Sequence, residues 1–83
     1  MASREDELTR AVDLALAEDW DATHAIAQRH EGNAAADWLH GVLHKIEGDD
    51  GNARYWYRHS GHAFDEFADP RAELAAIRAL LGR

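Results

Sequence analysis

Apolar residues recur at helical spacing throughout this chain, and turn-forming residues cut the pattern before any helix grows long. Leu8, Ala11, Val12, Ala15 and Leu16 follow three- and four-residue steps, which predicts an amphipathic helix from a Ser3 cap to about Ala17. Asp6 stands where a capping box places its acidic partner. Glu18-Asp19-Trp20-Asp21 breaks the pattern, and Asp19 or Asp21 can cap a second helix to about Arg29 or His30. Its apolar face is thin: Ala22, Ala25 and Ile26. Trp20 reads as a hydrophobic staple locking this first hairpin.

Glu31-Gly32-Asn33 ends that helix, because Gly and Asn tolerate the left-handed conformation. A third helix runs from about Ala34 to Glu47, with Trp38, Leu39, Val42, Leu43 and Ile46 on one broad stripe. Gly48-Asp49-Asp50-Gly51-Asn52 is the sharpest turn signal in the chain, with Asp50 or Asn52 as the cap of a fourth helix. That helix is short, spanning about Asn52 to Ser60, and is stopped by Gly61. Phe64 and Phe67 are expected to dock on the core, as are Trp56 and Tyr57. Asp69-Pro70 pairs a cap with proline at the first helical position, so a last helix reaches about Leu81 with Leu74, Ile77, Leu80 and Leu81 inward. No segment alternates polar and apolar residues. The expected fold is all-α: four to five short helices in antiparallel hairpins, forming one domain over 1–83.

Composition narrows the functional classes. A chain of 83 residues buries little more than about 60% of its unfolded surface, so stability is modest or shared with a partner. Without cysteine, a metal site must use histidine and carboxylate ligands, and a reducing, cytoplasmic setting fits. The charged MASREDELTR start lacks the apolar core of a secretory signal, and no apolar run approaches a membrane span. A net charge of −7 with a pI near 5.2 opposes nucleic-acid binding. The acidic residues read as helix N-terminal charge and solubility.

Gly41, Gly48-Asp49, Ala53 and Tyr57 give the stretch from Trp38 to Ser60 a resemblance to the tetratricopeptide and Sel1-like helical hairpins. The resemblance implies small residues, Gly41 and Ala53, where two antiparallel helices touch, and right-handed stacking of hairpins. Glu18-Asp19 echoes Gly48-Asp49 one hairpin earlier. The phrase WLHGVLHKIEGD-x-GNARYWYRH also resembles a group of small bacterial all-helical proteins, which implies the fold and no chemistry.

Two constellations carry chemistry. His40 and His44 lie one helical turn apart, the spacing that presents two imidazoles to one ion, with Asp37 and Glu47 on the same face. With His24 from the second helix, the set His24, His40, His44 and Glu47 can form a three-His or two-His, one-carboxylate site for a divalent transition metal such as zinc. The blander alternative is a polar network at the edge of the core. On the fourth helix, Arg54, Tyr55, Arg58 and His59 combine residue types enriched in binding hot spots. The arginines can also clamp an anion, or pair with carboxylates such as Glu47 or Asp49. No nucleophile with a base and an oxyanion loop accompanies either set. The first expectation is therefore a non-enzymatic interaction module binding a protein partner or a second copy of itself, with no cofactor. The alternative is a metal-binding protein or metalloenzyme.

Overall fold

The computed structural model describes residues 2–82; Met1 and Arg83, the ends of the expected 1–83 domain, lie outside the described residues. Five helices account for the regular structure: α1 (Arg4–Leu16), α2 (Trp20–Arg29), α3 (Ala34–Ile46), α4 (Asp50–Ser60) and α5 (Pro70–Leu81). No strand occurs among the described residues, so the fold is all-α.

Each helix begins on a side-chain cap, because its first backbone N–H groups have no partner within the helix. Ser3 Oγ accepts from Asp6 N, and the Asp6 carboxylate accepts back from Ser3 N, completing the capping box. Asp19, Asn33, Asp49 and Asp69 accept from Ala22, Ala36, Asn52 and Arg71. Each such cap stabilises by about 1 kcal/mol. Asp49, rather than Asp50 or Asn52, caps α4, so that helix starts earlier than expected.

The turns at 17–19 and 47–49 are built alike. Asp19 N–H bonds Leu14 O at 2.9 Å, and Asp49 N–H bonds His44 O at 2.9 Å. The residue before each aspartate is left-handed, Glu18 at φ 65° and Gly48 at φ 82°. Glycine adopts that conformation freely, whereas glutamate does so at a cost of about 1–2 kcal/mol.

The hairpins α1–α2 and α3–α4 are the tightest helix pairs. Gly41 explains the second: a Cβ there would stand 3.0 Å from Tyr57 Cδ2 and 3.4 Å from Ala53 O. Leu8, Val12, Leu39, Val42, Leu74 and Ile77 fill the core between α1, α3 and α5. α5 packs against α1 and α3, and it reaches α4 through the side-chain hydrogen bond between Tyr57 and Glu73.

Three expectations need correction. The buried face of α2 is Thr23, Ile26 and Ala27, with Ala25 exposed, because Thr23 satisfies its hydroxyl on Ala11 O and Asp19 O and can be buried without loss. Leu80 is 42% exposed although it shares a helical face with Glu73 and Ile77, because it falls in the last turn of α5. Trp20 is no staple: it stands partly exposed at the mouth of a cavity. Glu73 itself is fully buried beneath α3 and α4. Its carboxylate accepts from Trp38 Nε1 (2.8 Å), Tyr57 Oη (2.6 Å) and Lys45 Nζ (2.9 Å). Burial and the Glu73 carboxylate push the Tyr57 phenol far above its ordinary value, so it stays a donor.

Candidate metal centre

Packing of α2 on α3 brings His24 over the face that carries His40 and His44. The ring centroids lie 4.6 Å apart for His24–His40, 5.1 Å for His40–His44 and 6.0 Å for His24–His44. One nitrogen from each ring falls within 4.8 Å of the others. Tetrahedral coordination at about 2.0–2.1 Å separates donor nitrogens by roughly 3.3 Å. The rings therefore need to close by about 1.5 Å at most. His24 and His44 are half-buried, at the outer edge of the cluster.

His40 is the unusual member. It is 2% exposed, its ring is stacked on Trp56 at 3.9 Å, and its Nδ1 is buried with no hydrogen-bond partner. An orphaned buried polar atom costs about 1–3 kcal/mol and is rare in folded proteins. Burial, reinforced by the neighbouring His24 and His44, lowers the His40 pKa to about 4. His40 is thus neutral near pH 7, the form in which imidazole ligates a metal.

His44 is oriented from outside the cluster. Its Nδ1 hydrogen-bonds Glu47 Oε1, and an ionised carboxylate can only accept, so Nδ1 carries the proton. That leaves the Nε2 lone pair available. A carboxylate holding the far nitrogen of a ligating histidine is the usual support of a metal site. Glu47 accordingly serves His44 in this arrangement, and a ligand role would require it to leave. His44, Glu47 and Asp49 also place donor atoms within 4.8 Å of one another. Asp49 is occupied there by the side-chain and backbone hydrogen bonds of Asn52, which lower its pKa. Asp37 does not join either group; it is buried and accepts from Gly32 N, closing the α2–α3 turn.

A cavity of about 410 Å³ opens beside the cluster, lined by Trp20, Asp21, His24, Leu43, His44 and Glu47 among others. His40 does not line it and lies beneath.

On α4, Tyr55 is 47% exposed and makes edge contacts with Trp56 and His59. Arg54 lies over the Phe64 ring at 4.1 Å, and Arg58 is 6.0 Å from the Tyr55 centroid. The expected pairing of the arginines with Asp49 or Glu47 does not form, because Asn52 and His44 occupy those carboxylates. Among the described residues neither arginine has an ion-pair partner. Trp56, expected in the core, is only half-buried and serves as a wall for His40.

Sequence reasoning did not reach Glu73, Lys45 or the Trp56–His40 stack. The Lys45–Glu73 contact joins helices distant in the chain, and an acidic residue in the first turn of α5 looks like ordinary helix-dipole chemistry. No helix among the described residues is long and apolar enough to cross a membrane. No family model matches the chain, and no curated protein or solved structure matches it.

Proposed function

We propose that this protein binds a divalent transition metal ion, zinc first, through His24, His40 and His44. The observation that carries the reading is the convergence of three imidazoles around a buried His40 whose Nδ1 has no other partner. An all-nitrogen donor set suits zinc, nickel, copper or iron rather than calcium or magnesium. The test is elemental analysis and zinc titration of untagged protein. One zinc per chain is expected, lost in His40→Ala and His24→Ala. Glu47→Gln should weaken binding by about 10–100-fold without abolishing it, as expected of a residue that orients a ligand. Wild-type protein that takes up no zinc, nickel or cobalt and shows no metal-dependent rise in melting temperature would remove the reading.

A second reading is supported by the α4 surface. Two arginines without ion-pair partners among the described residues flank an exposed Tyr55 in a chain of net charge −7, with His59 alongside. That combination fits an interaction module for an acidic partner surface or a second copy of the chain. Stacking in the tetratricopeptide manner belongs to this reading, supported by the like-built turns at 17–19 and 47–49. A cytoplasmic setting is supported by the lack of cysteine. Sedimentation equilibrium should give a mass above the monomer that falls to the monomer in Tyr55→Ala/Arg58→Ala. A monomeric wild type that copurifies with the same proteins as the double variant would end it.

A further inference from the structure

We propose that a metal held by His24, His40 and His44 keeps one coordination position open toward the cavity between α2 and α3. We further propose that this position takes a small, uncharged, aromatic nitrogen donor of the imidazole or pyridine class. The inference rests on the metal reading above and goes beyond it by assigning a ligand.

Three observations support the open position. His24 and His44 line the cavity while His40 lies beneath it, backed by the Trp56 ring. The three donors therefore approach an ion from the protein side and leave the cavity side uncovered. Glu47, which lines the same cavity, is engaged on His44 Nδ1. Three protein ligands with a vacant fourth position form the pattern that accepts an exogenous ligand, whereas structural sites are closed by four protein ligands.

The walls select the ligand. Trp20, Leu43 and Ile46 offer apolar surface, and Trp20 is 36% exposed at the rim, where a planar ring can stack on it. Asp21 and Glu47 put two carboxylates on the same cavity, which disfavours anions approaching the ion. A volume of about 410 Å³ lies within the range of small-molecule sites and exceeds what a single bound water needs. Binding exchanges a metal-bound water for the ring nitrogen and changes no oxidation state.

The experiment uses cobalt(II) in place of zinc, because its visible absorption reports the coordination shell. Cobalt-loaded protein is titrated with 4-phenylimidazole and, separately, with azide. Saturable movement of the visible bands by 4-phenylimidazole at lower concentration than azide is expected, with cobalt retained after gel filtration. Trp20→Ala should weaken 4-phenylimidazole roughly tenfold, about 1.4 kcal/mol, while leaving cobalt affinity unchanged. Stoichiometric cobalt whose bands do not respond to millimolar amounts of either ligand would show a closed shell and overturn this inference while leaving metal binding intact. Equal response to both ligands, or a Trp20→Ala variant that binds as wild type, would overturn the assigned ligand class. Loss of cobalt on titration would overturn it too. Failure to bind cobalt at all removes the metal reading, and this inference with it.

Discussion

Glu73→Ala should lower unfolding stability by about 3–5 kcal/mol, the cost of stranding one member of a buried ion pair. Three donors lose their acceptor together: Trp38 Nε1, Tyr57 Oη and Lys45 Nζ. Lys45 retains the carbonyls of Phe64 (2.7 Å) and Phe67 (2.9 Å), but its charge loses its counterion in a site where its side chain is 12% exposed. A domain of 83 residues has roughly 4–12 kcal/mol to lose, so the variant sits near the threshold of folding. The urea midpoint measures the loss. A double variant, Lys45→Met with Glu73→Leu, should be less damaged than Glu73→Ala, because no buried charge is left unpaired. A Glu73→Ala protein within about 1 kcal/mol of wild type would contradict the burial of this network.

The second large effect is a response to acid. In metal-free protein, His40 has a folded-state pKa lowered to about 4 from its ordinary 6.5. Between those values the unfolded chain binds the proton and the folded chain does not. Stability is therefore full above pH 6.5 and declines as pH falls toward 4. Below 4 the folded protein is protonated as well, and this loss stops. The full shift corresponds to about 3 kcal/mol. Glu7 and Asp49, whose pKa values are lowered by their hydrogen-bond partners, lose their contributions at more acid pH, so the interval from pH 7 to 4.5 reports mainly on His40. Urea midpoints of chelator-treated protein at the two ends should differ by most of this amount for wild type and much less for His40→Leu. Equal loss in both proteins would show that His40 is not the group responsible.

Local signals carried most of the fold. Ser3, Asp19 and Asp69-Pro70 mark helix starts because a cap acts within three residues of itself, and Gly61 marks a stop for the same reason. Gly41 was legible as a point of close approach because Tyr57 and Ala53 lie across a single short turn. The candidate site was half legible. His40 and His44 share a face by helical spacing alone, but His24 meets them only through the packing of α2 on α3. The fates of Arg54 and Arg58 were not legible, since Asn52 and His44 hold the carboxylates that charge alone assigns to them. Leu80 was misplaced for another reason: it keeps the spacing of the inward face, but it stands in the last turn of α5, and spacing alone does not show where packing stops.

The segment between α4 and α5 has no regular structure and is held by side chains: His62 stacks on Trp38 at 3.6 Å and Phe64 lies under Arg54. Lys45 holds it by two backbone carbonyls, and Lys45 is fixed in place by a carboxylate that arrives only when α5 docks against α1 and α3. One ammonium group therefore serves both: the charge that binds the loop carbonyls also neutralises the buried carboxylate of the last helix.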